Sequence, residues 1–433
     1  MRILHTLNLQ RFADPNTQTT LLNSLGNDLS PEMKTFYKTA LIRTAKPNLV
    51  HAQFGIKRPI PKGNGKKVEW RKWSNFKKAL TPLTEGVTPD GNTLNVSYIE
   101  AEVAQYGDYT TVSDILELTA VDPVIVEVTE KHGDNVGLTL DTIARNELIA
   151  GTQVRYAPKV SGGTETVTVS RYQLDKSCLM TGKLVRKAVT DLKAVNAPKI
   201  NGSYVAIIHP HVGYDISGDA EWVEASRYAG ATQIFEGELG KFHSCRFVES
   251  TEAAVFKGKP LTSAAETLTV KTAVEASTGT ATSDVAVNEA IASTDRIASA
   301  SESVPVNVVI GDTKLVVVGV TTGAAGAAKL TVKQPHGAIA AKDKISAGDA
   351  GKDNLAVYAS LFLGKDAYAT IDIEGGGTEV IVKPKGSAGT ADPLDQRSTI
   401  GWKSLFACKR LIEEYILRVE TCSEYSDEVT EAN

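Results

Sequence analysis

The sequence predicts a mixed α+β protein with a separate β-rich module inserted into it. Three observations carry that expectation. Helical and alternating apolar periods follow one another along the chain, so neither an all-α nor an all-β pattern holds throughout. Asn-Gly and Asp-Gly pairs sit at the ends of short β-branched runs, as turn chemistry requires. Finally, the 101 residues between Phe256 and Tyr358 hold no Phe, Trp or Tyr, although 6% of the whole chain is aromatic. That window is rich in Ala, Thr, Ser and Val, and the break at both ends marks an insertion with its own core.

The 433 residues are 42% hydrophobic and 23% charged, which suits two or three soluble domains and excludes a disordered chain. A net charge of −4, from 47 Lys and Arg against 51 Asp and Glu, gives no global sign of a nucleic-acid or membrane partner. No apolar run reaches transmembrane length. The four cysteines (178, 245, 408 and 422) lack CxxC spacing and read as free, mostly buried thiols of a reduced compartment. The start, MRILHTLNLQRFADPNTQ, lacks the apolar core of a secretory signal.

Taken in order, residues 14–45 are polar with a weak helical period and predict an extended or partly helical arm. Residues 66–73 and 93–104 read as two strands, with Asn64-Gly65 and Asp90-Gly91 at their ends. Asp122 to Ala150 predicts one long helix, capped by Asp122, entered through Pro123 and stopped by Gly151. Its apolar face comprises Val124, Val128, Val136, Leu140, Ile143 and Leu148. A second amphipathic helix is expected at Gly182–Val195, a buried strand at Tyr204–His209, and a helix at about Asp219–Tyr228. Gly240–Ser250 alternates as a strand. Within the aromatic-free window, SVPVNVVIGDTKLVVVGVT predicts two strands about a tight turn. Strand character resumes at Val357–Leu363 and Thr370–Ile373, and again at Glu379–Lys383 after the Gly375-Gly376-Gly377 turn. The apolar stretch Gly401–Thr421 fits strand or helix, with ILRVE favouring strand.

A convergent catalytic set is not legible. The phosphate-loop spacing fails at both Lys62–Lys67 and Ser346–Asp353, and there is no GxSxG or HExxH. His209-Pro210-His211 offers two imidazoles, but the next histidine, His243, is remote, so two loop histidines beside a strand end are the simpler reading. Cys178 reads as a core thiol. No enzyme, cofactor or metal is expected.

One segment asks for more than folding. Residues 56–80 hold nine cations (Lys57, Arg58, Lys62, Lys66, Lys67, Arg71, Lys72, Lys77 and Lys78) against one acid, Glu69, with Trp70 and Trp73 among them. A two-stranded ribbon is marginal in water and cannot bury two tryptophans that point to opposite faces. The sharp reading is an arm that crosses a neighbouring subunit and meets its carboxylates. The alternatives are a hairpin packed on its own domain with a solvated rim, or a nucleic-acid groove.

The order of these parts resembles the major capsid proteins of tailed bacteriophages with the Hong Kong 97-type fold, and more narrowly the N-four-type coat protein family. The residues that carry the likeness include NLQRFAD at 8–14, EGVTPDG at 85–91, YGDYTTVSDILELT at 106–119 and TLDTIARNELIAGT at 139–152. They continue with YVAIIHPHVGYDI at 204–216, FEGELGKFHSCRFVES at 235–250, LFLGKDAYATIDI at 361–373 and STIGWKSLFACKRLIEEYILRVE at 398–420. They mark out a resemblance that runs from 8 to 420 and, leaving out 257–352, spans about three quarters of the chain.

The resemblance implies an N-terminal arm at 1–55 and an extended β-hairpin loop at 56–110. It implies a peripheral domain at 111–169 and 385–433, with a spine helix at 122–150 and a C-terminal strand, and an axial domain at 170–256 and 353–384. Residues 257–352 depart from the family pattern and would form an inserted surface β domain, immunoglobulin-like by analogy. The implied function is structural: self-assembly into the hexamers and pentamers of an icosahedral phage head enclosing double-stranded DNA. The implied partners are further copies of the chain, a separate scaffolding protein, a portal and a decoration protein, with DNA contacted non-specifically, no membrane, and assembly in the host cytoplasm. An encapsulin-like shell protein and a cell-surface adhesin are the rival readings.

Overall fold

The computed structural model describes residues 50–73, 91–119, 124–223, 240–279, 281–311, 313–374, 378–387, 392–429 and 432–433, with the single positions 76, 78, 80, 82, 85 and 86. The arm at 14–45, the Asp122-Pro123 helix entry and the Gly375–Gly377 turn lie outside the described residues. The chain divides into two compact units. Of the described residues, one takes in those of 50–52, Ile56–Ala144 and Ala369–Leu411; the other takes in those of Gln53–Gly55, Arg145–Tyr368 and Ile412–Asn433.

The first unit is built on a five-stranded sheet. Its longest member, β21 (Arg397–Arg410), is flanked by β4 (Ala104–Ser113) and β20 (Glu379–Lys383), and β1 (Ile56–Lys57) joins through β19 (Tyr368–Ile371). β4 and β21 run antiparallel from Ser113↔Arg397 to Ala104↔Phe406. Glycine is required twice along this pair. A Cβ on Gly107 would lie 2.7 Å from the Trp402 carbonyl oxygen, and one on Gly401 would lie 2.7 Å from Tyr109 Cβ. Helix α1 (Asp114–Thr119) follows β4, and the long helix α2 (Val124–Ile149) follows it in turn. Val112, Leu116, Val124 and Ile400 form a buried cluster here, with Val128 against it.

The stripe of α2 that faces inward is less apolar than the sequence suggests. Buried His132 and Asp141 interrupt it. His132 Nε2 lies 3.0 Å from Thr110 Oγ1. The Asp141 carboxylate accepts from the His51 backbone N–H at 2.7 Å and lies 2.6 Å from His51 Nδ1, which ties His51 to the helix.

The second unit holds a seven-stranded mixed sheet ordered β5-β22-β18-β8-β10-β9, with β11 also on β18. The strands are β5 (Val154–Tyr156), β8 (Tyr204–Ile208), β9 (Lys241–Phe242), β10 (Cys245–Glu249), β11 (Val255–Phe256), β18 (Val357–Leu363) and β22 (Ile416–Thr421). Every residue of β8 and β18 is buried, which is why both read as unbroken apolar runs. Helix α3 (Gly182–Ala194) adds Leu184, Val185, Ala188, Val189 and Leu192 to the same core. Thr181 caps it by accepting from the Leu184 N–H at 3.3 Å.

Two sequence expectations need correction in this unit. Gly240–Ser250 is not one strand: His243 and Ser244 take positive φ (48° and 68°), folding β9 back on β10. The stretch Gly401–Thr421 is strand, but it is broken at Glu413–Tyr415, so β21 joins the sheet of the first unit and β22 that of the second.

Between β11 and β18 lies a six-stranded antiparallel sheet ordered β12-β17-β14-β15-β16-β13. Its strands are β12 (Leu268–Thr269), β13 (Thr282–Ala286), β14 (Val306–Ile310), β15 (Thr313–Thr321), β16 (Lys329–Lys333) and β17 (Lys344–Ala347). Its two edges meet. Val270 bridges Val287, the Lys271 N–H donates to the Ala286 carbonyl at 2.8 Å, and the Asn288 N–H donates to the Thr269 carbonyl at 3.0 Å. The sheet therefore closes on itself, in place of the two facing sheets of an immunoglobulin-like module. Alternate residues point inward: Leu268 and Val270, Val285 and Val287, Val308 and Ile310, Leu315 and Val317, Leu330 and Val332 are all buried in one cluster. A closed sheet of so few strands encloses little volume, and in this one β-branched, leucine and alanine side chains fill it without an aromatic ring. The composition break in the sequence coincides with this separate core.

Candidate functional site

The basic segment folds as a hairpin. Strand β2 (Lys67–Trp73) pairs antiparallel with β3 (Val96–Glu102), from Lys67↔Glu102 to Trp73↔Val96. Because strand side chains alternate, this register sorts the hairpin into two faces. Val68, Trp70 and Lys72 share one face with Ala101, Ile99 and Ser97; Lys67, Glu69, Arg71 and Trp73 share the other with Glu102, Glu100, Tyr98 and Val96.

The first face is anchored at its root. Ala101 is buried with Ile60, Val103, Ile371 and Ala407, and Val68 and Trp70 pack against that cluster. Trp70 is therefore a half-buried foundation of its own unit. Trp73, three residues on and on the opposite face, is 55% exposed. Beyond it Phe76 (60%) and Leu80 (82%) are exposed too, as are Leu94 before the return strand and Tyr98 on it. Sequence reasoning treated the two tryptophans alike; only the location of the underlying cluster separates them.

The cations divide in the same way. Lys66 Nζ lies 2.5 Å from a Glu102 oxygen and Lys67 Nζ 3.8 Å from the other, while Arg71 reaches Glu69 at 3.5 Å and stands 6.0 Å over the Tyr98 ring. The hydrogen bond and charge of Lys66 hold the Glu102 carboxyl below the usual carboxylate range. Glu102 on β3 thus neutralises the root, and it lies outside the cation-rich stretch 56–80. Lys57, Arg58, Lys62, Lys72 and Lys78 are exposed and form no ion pair among the described residues. Lys77 lies outside the described residues. The outer hairpin therefore presents uncompensated cations around exposed aromatic and aliphatic side chains, the pattern of a surface meant to be covered.

The other candidates from the sequence have structural duties. His209 caps helix α4 (Pro210–Gly218) by accepting from the His211 N–H at 3.2 Å. His211 Nδ1 lies 2.7 Å from the Tyr358 hydroxyl, and its ring stacks on Tyr425 at 4.7 Å. Burial, with the charge of His211, draws His209 down to about 4. All four cysteines are buried and outside any disulfide, and burial pushes the Cys178 thiol up to about 11. Among the described residues no group of three or more His, Cys, Asp or Glu is placed to hold a metal ion.

Sequence reasoning missed two buried polar features of the second unit. Glu420, wholly buried, receives Arg171 through two contacts of 2.7 Å, with Arg418 at 2.8 Å. Asp215 Oδ1 accepts from the Glu424 N–H at 3.4 Å, while burial pushes its carboxyl up to about 6.

No family model matches the sequence, and no curated protein matches it. Solved structures do. The chain is similar to a chain of the cyanophage Pam1 capsid (TM-score 0.52, 10% identity, covering 91% of this chain and 97% of that one). It is similar to a chain of the cyanophage P-SCSP1u capsid (0.50, 11%, 93% and 97%). A chain of the Ralstonia phage GP4 capsid matches equally well (0.50, 11%, 94% and 98%). At such low identity the likeness is one of fold, and it spans nearly the whole of both chains: this protein has the fold of phage capsid chains.

Proposed function

We propose that the protein is the major capsid protein of a tailed bacteriophage, a structural rather than catalytic chain with the Hong Kong 97-type fold of the N-four-type coat family. Many copies form the hexamers and pentamers of an icosahedral head around double-stranded DNA, which is contacted non-specifically. In this reading residues 1–55 are the N-terminal arm and 56–110 the extended loop. Residues 111–169 with 385–433 are the peripheral domain around its spine helix, and 170–256 with 353–384 the axial domain. Residues 257–352 are an inserted domain on the outer surface. Scaffolding, portal and decoration proteins are separate chains, and assembly takes place in the host cytoplasm.

The observation that carries the proposal is the near full-length likeness to capsid chains, with 91–94% of this chain and 97–98% of theirs covered. The hairpin supports it from a second direction. A ribbon with exposed Trp73, Phe76 and Leu80 and unpaired lysines gains by lying on another subunit, where the apolar groups are covered and the cations meet acids. Single surface ion pairs contribute only about 0–1 kcal/mol, so strength comes from repetition around closed rings and across a lattice. Negative-stain electron microscopy of the purified protein, alone and with a scaffolding protein, tests the reading. Closed shells or ring-shaped capsomers are expected, and monomers under every condition would overturn it.

A further inference from the structure

In the second unit, the stretch Val167–Val169 buries its polar residue and exposes its two valines. Past strand β7 (Thr164–Thr166), Thr168 is buried and donates its hydroxyl proton to the Ala157 carbonyl, while Val167 and Val169 stand 82% and 70% exposed. A strand solvated on one face places its valines inward and its threonines outward. Here the two valines point outward instead. The two valines line a cavity of about 600 Å³, whose wall continues through Val154, Tyr156, Val195 and Ile416. That volume lies within the roughly 300–1,000 Å³ of sites that enclose organic groups. Two acids also line it. Asp191 is held by Arg155 at 2.5 Å; Glu414 is exposed and has no ion-pair partner among the described residues.

We infer that this cavity receives the outer hairpin of a second copy of the chain, with Trp73 or Phe76 against Val167 and Val169, and Lys72 or Lys78 beside Glu414. The inference rests on the proposed role of the hairpin as an intersubunit arm and names the surface that the arm meets. Two complementarities favour this occupant. The chain exposes an apolar knob bearing unpaired cations and an apolar hollow bearing an unpaired carboxylate, so each supplies what the other lacks. A knob-and-hollow contact between unlike surfaces is heterologous, the kind that closes rings.

The test is a pair of thiols. All four native cysteines are buried, so Phe76→Cys and Val167→Cys place new reactive groups on exposed positions. Full-length protein carrying both substitutions, treated with a short bis-maleimide during assembly, should give a covalent ladder up to the ring size, while each single variant gives no ladder. Val167→Asp should leave the circular dichroism and melting temperature of the monomer unchanged, since the side chain is exposed, yet lower assembly at least tenfold. Shells that form normally in Val167→Asp and give no ladder in the double variant would overturn the cavity assignment and leave the coat-protein reading standing. A crosslinked species that migrates as a monomer would assign the cavity to its own chain and equally overturn it. Wild-type protein that never oligomerises would overturn both.

Discussion

Replacing Trp73 by alanine should separate assembly from folding, because the structure gives Trp70 and Trp73 different work. A tryptophan side chain presents up to about 250 Å², so 55% exposure leaves about 140 Å² of Trp73 open in the isolated chain. At about 25 cal/mol per Å², covering that surface is worth about 3 kcal/mol per contact. Its loss weakens each contact roughly 100-fold, since about 1.4 kcal/mol is a factor of ten. The folded chain should barely notice, an exposed site away from any cap or core changing stability by about 0.5 kcal/mol or less. Trp70→Ala should do the reverse. Its ring packs on the cluster of Ile60, Ala101, Val103, Ile371 and Ala407. Truncating it there should cost about 2 kcal/mol of stability, below the roughly 3–5 kcal/mol of a fully buried aromatic. Urea unfolding of the monomer and sedimentation velocity across a concentration series measure the two quantities independently. If Trp73→Ala assembled at the wild-type concentration, or lost as much fold stability as Trp70→Ala, the division of the hairpin into root and contact would be wrong.

Three further outcomes are expected. Glu420→Gln should cost about 3–5 kcal/mol in chemical denaturation, because it leaves Arg171 and Arg418 without the buried charge they surround. Asp215 has its carboxyl raised to about 6 by burial, so the stability it contributes is fully present below about 4, where an unfolded aspartate is protonated, and is lost as pH rises through 6. Asp215→Asn should accordingly raise the melting temperature at pH 8 and change it little at pH 4; an equal shift at both would remove the carboxyl as the cause. Replacing residues 259–351 by a short linker should leave the remaining chain folded with a cooperative transition. The two ends already meet at a neck where the Gly258 N–H donates to Asn354 Oδ1 at 3.1 Å and Asn354 Nδ2 donates to the Gly258 carbonyl at 3.2 Å. Loss of cooperative unfolding would show the remaining chain to depend on the closed sheet.

The long helix, α3, β8, β18 and the β14–β15 pairing were all legible, because each is set by a local period or by strands close in sequence. The hairpin register was legible only in outline. Its two strands are plain in composition, but the 22-residue connection between Trp73 and Val96 fixes no pairing by itself. Polar residues on core faces were missed for a related reason. His132 and Asp141 on α2, and Glu420 on β22, are compatible with burial only because distant groups, Thr110, His51 and Arg171, complete their hydrogen bonds.

The sequence by itself determined the long helix, α3 and the buried strands β8 and β18, that 257–357 must pack without aromatic rings, and that cations and tryptophans crowd one ribbon. Only the tertiary structure decided that the inserted sheet closes through Val270 and Val287, and that β21 and β22 part into different sheets. It also decided that Trp70 is anchored while Trp73 is bare, and that Val167 and Val169 face outward. The physical reason is range. Period and turn chemistry act over a few residues, whereas sheet closure, strand partition and burial depend on contacts between residues far apart in sequence, where neither partner carries a local mark of the other.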